Sequence, residues 1–379
     1  MEKYVDLKSP FTGGKVKEVS TVEEHEFRKE KFTVHVRYYV CEDTGERFTT
    51  TEQDELLFNE LYSLYRVTHG IPFPEEIKGI RLRYGLNYQQ ITKILGFGAN
   101  QYAQYEKGQI PSDSNGKLLS AAMNRQFMLH LLEDSRAEFD EAEYNKIYKL
   151  ILASEAQLEN EEQKTLIYRN IRRSIYNGFG QLNVNKVSEM IKFFICQEGG
   201  IFPTKLNKEM FYADFLHYKL HGQSISGLQY QAIQYGPVPV HYDTVYDNID
   251  GIRKDIVIVH DMESVCLNCS SCDLSAFSKQ ELETLHIVLA IIKPMNTTEV
   301  IDRSHNEDAW KHYRNGNQLI PYSEAFSLRL VCKEGRKEGL LEAARNMKAL
   351  GIDDETIMKA TGITGNVLHA KGINPLSED

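Results

Sequence analysis

The sequence has no long hydrophobic run, and this absence excludes the usual helical membrane proteins. None of its 379 residues lies in a stretch approaching the roughly 20 apolar residues that a membrane-spanning helix needs. The opening segment, residues 1–6, also lacks the apolar core of a secretion signal. We therefore expect a cytoplasmic protein that does not contact a membrane.

Cysteine is scarce as well, with six residues in the chain: Cys41, Cys196, Cys266, Cys269, Cys272 and Cys332. Because the cytoplasm is reducing, we expect most of them to be free thiols. The spacing of Cys266, Cys269 and Cys272 would suit zinc or an iron–sulfur cluster, but no second cysteine group supplies a fourth ligand. Ordinary thiols are the better interpretation, and we expect no metal and no other cofactor.

Basic residues are in deficit, since the net charge is −10. This charge argues against a protein coated in nucleic acid but permits one basic face, because electrostatic steering depends on local charge. The sequence also lacks any nucleophile–base pair or carboxylate pair at a defined spacing, so we expect no enzymatic activity. A hydrophobic content of 41% is normal for globular proteins, and this length predicts two or more domains.

The hydrophobic pattern predicts a mainly α protein with a small β-rich N-terminal domain. Residues 32–40 read as a strand, and helical spacing begins near residue 51. Short helices are predicted at residues 75–84, 88–95 and 100–107, followed by a longer helix at 118–132. The expected domains are a β-rich domain with a helix, a five-helix DNA-binding domain, a helical connector, a mostly helical domain and a helical tail, at residues 1–70, 71–132, 133–183, 184–330 and 331–379.

The three short helices suggest a helix-turn-helix that binds DNA. Glycines at 96 and 98 suit a tight turn, and Asn and Gln side chains after it can read an adenine edge in the major groove. Residues 71–125 carry seven basic residues against four acidic ones, a local charge of +3 within an acidic chain. The plainer alternative is a helical hairpin that only packs on its neighbours. The predicted DNA-binding residues are Asn100, Gln101, Gln104, Lys107, Lys93 and Arg83.

This region resembles a known recognition motif. The run Gly-Phe-Gly-Ala-Asn-Gln-Tyr-Ala-Gln-Tyr-Glu-Lys-Gly at residues 96–108 is similar to the recognition helix of MqsA-type antitoxins, within the wider Xre-like repressors. The resemblance implies that Asn100 and Gln104 read bases, although the second position is commonly Arg in that family. It also implies a homodimer on operator DNA with two half-sites about one DNA turn apart.

The same resemblance extends to the N-terminus, where such antitoxins often carry a zinc-binding fold with two Cys-x-x-Cys knuckles. The four corresponding positions in this chain are Ser9, Thr12, Cys41 and Thr44. Neutral hydroxyl groups are poor zinc ligands, because structural zinc sites use four Cys or His donors. We therefore expect a degenerate zinc-ribbon-like domain of the same shape without metal.

Three C-terminal segments resemble the signature of Panacea (SocA-like) domains: residues 205–214 (KLNKEMFYAD), residues 235–238 (YGPV), and Ser304-His305 with Trp310. The resemblance implies a mostly helical antitoxin domain that binds and neutralises a toxin protein, although some relatives act as proteolysis adaptors. We expect Gly236-Pro237 to form a turn. Four aromatic residues are candidate anchors for the toxin, unless they fill the core: Tyr212, Phe215, Tyr218 and Tyr235.

These patterns together predict the antitoxin of a type II toxin–antitoxin pair. It would neutralise the toxin encoded by the neighbouring gene and repress its own operon. Two alternatives stay open, a proteolysis adaptor and a transcriptional regulator whose C-terminal domain senses a ligand in a sizeable pocket. The tail beyond residue 331 resembles the C-terminal end of Rpn-like proteins, whose nuclease domain is absent from this chain.

Overall fold

A computed structural model describes residues 3–154 and 172–329, apart from 248, 260 and 261, together with five isolated positions nearer the C-terminus. The expected mainly α class is confirmed, with one small antiparallel sheet at the N-terminus. The chain divides into two compact units, the first of residues 1–20, 37–49 and 172–379 and the second of residues 21–36 and 50–171. The predicted helical tail lies outside the described residues, apart from those isolated positions.

Membrane-spanning character is absent from the described part of the chain. None of its helices combines the length and the apolar composition that crossing a bilayer requires.

The N-terminal sheet is antiparallel and follows the order of the chain. Its strands are β1 (Lys3–Lys8), β2 (Lys15–Phe27), β3 (Glu30–Cys41) and β4 (Arg47–Phe48). The strand predicted at residues 32–40 is confirmed as part of β3. A two-residue turn of Arg28 and Lys29 joins β2 to β3, and both residues have positive φ angles of 52° and 70°.

The described residues of the second unit form seven α-helices: α1 (Thr51–His69), α2 (Pro74–Arg83), α3 (Tyr88–Ile94), α4 (Gln101–Glu106), α5 (Asp113–Ala122), α6 (Arg125–Asp134) and α7 (Glu141–Ala153). The three short helices predicted from sequence are confirmed within two residues as α2, α3 and α4. Local capping explains α3, because the side chain of Asn87 accepts a hydrogen bond from the Gln90 backbone.

The single long helix predicted at residues 118–132 is wrong, because α5 and α6 are separate. The helix is interrupted at Met123 and Asn124, and the Asn124 side chain accepts a hydrogen bond of 3.1 Å from the Phe127 amide. Asparagine favours such N-caps because its short side chain satisfies an amide that has no partner within the helix. The sequence did not reveal the boundary between α5 and α6, because apolar residues recur on both sides of residue 124.

Helix α7 lies within the predicted connector of residues 133–183 and is part of a hydrophobic core. The connector also includes residues outside the described part of the chain, so it stays a prediction. Tyr144, Ile147 and Ile151 of α7 are buried in the same hydrophobic cluster as Ile77 of α2 and Ile91 of α3. Residues 172–183, beyond the part that is not described, form turns instead of helix. The apolar face of α7 is therefore covered by the helices that precede it.

In the first unit, six α-helices lie in the part that the structure describes: α8 (Val184–Glu198), α9 (Pro203–His221), α10 (Tyr242–Asp247), α11 (Lys279–Ile292), α12 (Thr297–Asn306) and α13 (Asp308–Lys311). Helical spacing of apolar residues in the sequence predicts helices at residues 187–196, 205–218 and 279–293, and these are confirmed as parts of α8, α9 and α11. Two antiparallel hairpins complete the unit: β5 (Tyr230–Ile233) with β6 (Gly236–Pro239), and β7 (Ile252–Val259) with β8 (Met262–Cys269). The strand predicted near residue 255 is β7.

Helix α9 is buried on every face, since all residues from Lys205 to Tyr218 are buried. A helix on a protein surface would alternate buried and exposed faces, so α9 is the interior helix of this unit. Its charged and polar side chains must therefore find partners inside the protein, because an unpaired buried polar group is destabilising.

Glu209 of α9 is the member of this set that lacks a partner. Its side chain is 0% exposed, and neither carboxyl oxygen has a hydrogen-bond partner among the described residues. Burial raises the pKa of Glu209 well above its usual value, and the negative charge of nearby Glu198 raises it further. The neutral carboxylic acid is therefore the favoured form in the folded protein.

We predict that Glu209→Gln removes the pH dependence that this carboxyl gives to the stability of the first unit, so the variant becomes more stable than the wild type as the pH rises and the wild-type carboxyl ionises. Because folding raises this pKa, the wild-type carboxyl contributes most at a pH below its unfolded pKa, and stability is lost as the pH rises through the folded pKa. The amide variant lacks this loss. Trp310 is the only tryptophan, so its fluorescence during urea unfolding reports on this unit.

The matched control is Glu263→Gln, which changes an exposed carboxylate of β8 and is expected to shift the unfolding midpoint little. Equal responses of the two variants between pH 5 and 9 would contradict the assignment of a neutral Glu209.

Candidate DNA-binding and partner-binding sites

Helix α4 carries most of the predicted DNA-binding residues, and it is held firmly against α2. Tyr102 is 0% exposed, and its hydroxyl donates a hydrogen bond of 2.6 Å to the Ile77 carbonyl. The turn before α4 requires left-handed backbone at Gly96 and Asn100, with φ angles of 64° and 66°. Glycine and asparagine are the residue types that tolerate this conformation best.

Three predicted DNA-binding residues remain available at the surface of this helix and its ends. Asn100, Gln104 and Lys107 are all exposed. No side-chain hydrogen bond joins any of them to another residue in the described part of the chain. Their amide and ammonium groups are therefore free to donate to a ligand, and the amide oxygens are free to accept.

The other three predicted residues have partners inside the second unit. Gln101 accepts a hydrogen bond from the Gly98 amide and donates one of 2.6 Å to the Tyr105 hydroxyl. Lys93 donates to the Glu138 carbonyl at 2.9 Å, and Arg83 donates to the Met123 carbonyl at 2.9 Å. These contacts assign structural roles to the three side chains, while their contact with DNA stays a prediction.

A partly buried ion pair that sequence reasoning did not identify connects α2, α3 and α4. Arg81 of α2 donates to the Glu106 carboxylate at 2.7 and 3.2 Å, and the Tyr88 hydroxyl donates to the same carboxylate at 2.7 Å. The Arg81 guanidinium also lies 4.2 Å from the Tyr88 ring centre. Burial raises the pKa of Glu106, but the hydrogen bonds from Arg81 and Tyr88 outweigh burial and leave it below its usual value.

Three of the four aromatic residues predicted to anchor a toxin lie in the interior. Tyr212, Phe215 and Tyr218 of α9 are at most 3% exposed, whereas Tyr235 is 58% exposed. The Phe215 ring stacks on Tyr322 with centres 4.2 Å apart. The alternative weighed from the sequence, that these aromatics fill the core, therefore describes the three α9 residues, and surface contact with a partner remains a prediction for Tyr235.

The three segments quoted for the Panacea resemblance meet around Gly236. This residue and Pro237 lie in strand β6, so the predicted turn is displaced to residues 234 and 235. Gly236 has a φ angle of 99°, and a Cβ atom there would lie 2.5 Å from the Ser304 hydroxyl oxygen and 2.6 Å from Cε of Lys208. Glycine is therefore required both by the backbone and by the close approach of two side chains.

Lys208 is a fully buried amine beside this glycine. Its side chain is 0% exposed and donates a hydrogen bond of 3.1 Å to the Pro237 carbonyl. Burial lowers the pKa of Lys208 to about 7. Burial also lowers the pKa of His305, and the charge of Lys208 lowers it further. The His305 ring stacks on Trp310 with centres 3.9 Å apart, which places these motif residues within one packed cluster.

Asp214 organises the loop after α9. Its carboxylate accepts hydrogen bonds from the Ile225 amide at 2.9 Å, the Ser226 amide at 2.8 Å and the Tyr230 hydroxyl at 2.7 Å, and from the Ser226 hydroxyl. Burial raises the pKa of Asp214 to about 6 although the hydrogen bonds from Ser226 and Tyr230 oppose the shift. The motif carboxylate therefore has an internal, structural set of partners.

The four knuckle positions lie together at one end of the sheet. Cys41 is 0% exposed, and its sulfur lies 3.5 Å from the Thr12 hydroxyl oxygen. Hydrogen bonds from Ser9, Thr12 and Thr44, in that order, lower the pKa of Cys41 to about 6. Hydroxyl groups thus surround the single sulfur at this position, and the expected absence of zinc stays a prediction.

Two of the cysteines are paired, whereas the other three that the structure describes are free thiols. Cys196 and Cys269 form a disulfide with their Cα atoms 5.9 Å apart, because α8 and β8 bring them within the distance that such a bond can span. Cys266 and Cys272 are free, and Cys332 lies outside the described residues. In the part of the chain that the structure describes, no three Cys, His, Asp or Glu side chains are grouped to hold a metal ion.

One family comparison bears on these sites. Residues 206–311 match the family model of the antitoxin SocA-like, Panacea domain. The match covers less than a third of the chain and includes α9, β6, Ser304 and Trp310. No curated protein and no solved structure matches the chain.

We predict that Gly236→Ala destabilises the first unit by about 2–4 kcal/mol, since the new methyl group would overlap Ser304 and Lys208 in addition to straining the backbone. Gly316→Ala is the matched control. Gly316 also has a positive φ angle, 86°, but open space around its Cα atom, so only the conformational cost of about 1 kcal/mol applies. Urea unfolding followed by Trp310 fluorescence measures both, and equal losses would contradict the close-packing argument.

We predict that Glu106→Gln lowers the free energy of local unfolding of the second unit by about 2–3 kcal/mol, because Arg81 and Tyr88 lose a charged acceptor. Hydrogen exchange of the α2 and α4 amides measures the change. Glu141→Gln is the control, since the Arg136–Glu141 pair is exposed and surface pairs contribute about 0–1 kcal/mol. Unchanged exchange in the Glu106 variant would show that the ion pair does not fasten α4.

Proposed function

We propose that this protein is the antitoxin of a type II toxin–antitoxin pair. The first unit binds and neutralises a toxin protein encoded by the neighbouring gene, and the second unit binds operator DNA and represses the operon. The protein acts in the cytoplasm as a homodimer, without catalysis and without a cofactor. The match of residues 206–311 to an antitoxin domain is the observation that carries this proposal.

The surface of α4 supports the DNA-binding part of the proposal. Asn100 and Gln104 are exposed amides without internal partners, and Lys107 adds an exposed positive charge at the end of the helix. Amide side chains of this kind bond adenine in the major groove, while lysine binds phosphate. A twofold dimer would place one such helix on each half-site.

Exposed apolar side chains within the matched segment support contact with a protein partner. Ile256, Ile258 and Met262 of the β7–β8 hairpin are 72%, 77% and 68% exposed, and Tyr235 is 58% exposed. Apolar groups that remain in water on a folded domain commonly mark protein-binding surfaces. The toxin therefore binds this surface instead of the interior aromatic residues of α9.

The ligand-sensing alternative has weaker support. It requires an enclosed pocket in the C-terminal domain, whereas the depression beside Phe202, Val265 and Thr297 has a volume of about 390 Å³ and is open to solvent. Small-molecule sites are concave and enclose most of the ligand. Among the described residues, the lining offers the hydroxyl groups of Thr204, Ser264 and Thr297 but no charged side chain, so it supplies no opposite charge to an ionic ligand.

Co-expression with the neighbouring gene tests the proposal. The neighbour should arrest growth alone, and this protein should restore it. The variant Asn100→Gly/Gln104→Ala removes both side chains without straining the left-handed backbone at residue 100, and it should still restore growth, since toxin binding resides in the first unit. It should also release a reporter under the operon promoter, with operator affinity about tenfold weaker or more.

The control variant is Gln126→Ala, an exposed side chain of α6 that should leave both growth rescue and repression unchanged. A harmless neighbour, or growth arrest that persists beside the wild-type protein, would contradict toxin neutralisation. Repression that survives in the α4 variant would contradict DNA recognition by this helix.

A further inference from the structure

The turn between β2 and β3 carries residues poorly suited to its backbone. Two-residue hairpin turns with positive φ at both positions favour Asn-Gly, yet Arg28 and Lys29 occupy them at 52° and 70°. Side chains with a Cβ atom are strained in this region. An arginine at such a position therefore suggests that contacts of its side chain compensate for the backbone strain.

The Arg28 side chain reaches the segment that follows α4. Its two terminal nitrogens donate to the carbonyls of Pro111 and Ile110 at 2.8 and 3.0 Å. The guanidinium also lies 5.2 Å from the Tyr65 ring centre and 5.4 Å from that of Phe27. A planar guanidinium suits this arrangement, because it bridges two acceptors while stacking on aromatic rings.

A second arginine holds the preceding residues of the same segment. Arg66 of α1 is 3% exposed, and one of its nitrogens donates to the carbonyls of Gly108 and Gln109 at 3.0 and 3.2 Å. Its other terminal nitrogen donates to the Pro72 carbonyl. Four consecutive carbonyls, from residue 108 to residue 111, are therefore bound by two guanidinium groups, and we name this arrangement the arginine clamp.

We propose that Arg28 is a positioning residue for the DNA-binding face. The clamp fixes the segment 108–111, which begins directly after Lys107 and ends before α5. It thereby sets where α4 ends and how its exposed residues Gln104 and Lys107 face a ligand. The inference rests on the proposed DNA-binding function, but the clamp itself is a property of the free protein.

Hydrogen exchange of the full-length free protein is the first test. Arg28→Gly removes the guanidinium and supplies a residue that the turn conformation favours. If Arg28 served only to form the turn, amide exchange in this variant would be unchanged or slower. The clamp predicts exchange at least tenfold faster for the amides of residues 108–110, 112 and 113. Lys29→Gly is the matched control, because it relieves the same backbone strain and removes the same charge but leaves the clamp intact. Unchanged exchange in the Arg28 variant overturns the inference.

The second test measures binding to a duplex from the promoter of the operon across a salt series. A positioning residue predicts affinity at least tenfold lower for Arg28→Gly than for Lys29→Gly, with the same slope of log K against log salt. A slope that falls by about one means that Arg28 contacts a phosphate itself and overturns the positioning role, as does unchanged affinity. If the wild-type protein ignores the duplex, the proposed DNA binding fails, and the exchange result alone decides whether the clamp exists.

Discussion

The complete burial of α9 is the constraint on which the first unit depends. Fourteen consecutive residues, from Lys205 to Tyr218, lie in the interior, so every polar group among them needs a partner there. Lys208 uses the Pro237 carbonyl, Asp214 uses the loop at residues 225 and 226, and Tyr212 donates to Glu307 at 3.2 Å. These contacts explain Lys208, Asp214 and Tyr212 by packing, whereas Glu209 of the same segment has no hydrogen-bond partner among the described residues. The three paired residues specify how the strands and helices around α9 must be arranged.

In the second unit, side-chain contacts likewise fix the position of one helix, the short helix α4. Helix α4 has only six residues, too few to be stable alone, and it is fastened by Tyr102, the Arg81–Glu106 pair and the arginine clamp. Because these contacts all lie on its inner side and at its ends, Asn100, Gln104 and Lys107 remain exposed. A rigid helix with outward polar groups suits recognition, since little conformational freedom is lost on binding.

Local features were predictable from the sequence, whereas long-range pairings were not. The short helices α2–α4 follow from caps, apolar spacing and turn glycines. The boundary at Asn124 was missed because apolar residues flank it on both sides, although its capping chemistry was a usable signal. Arg81 and Glu106 are 25 residues apart and Arg28 and Pro111 are 83 apart, and no periodicity links such positions. The interior aromatic residues of α9 were interpreted as anchors for a toxin because a helix buried on every face has no polar stripe. Without such a stripe, the sequence does not show which side chains face the interior.

Direct binding between this protein and the product of the neighbouring gene is the most decisive measurement. Native mass spectrometry of the two purified proteins, mixed in equal amounts, would detect their complex without relying on growth or transcription. We expect a stoichiometric complex in which this protein is present as two copies. Two folded proteins that remain separate at micromolar concentration would contradict this expectation.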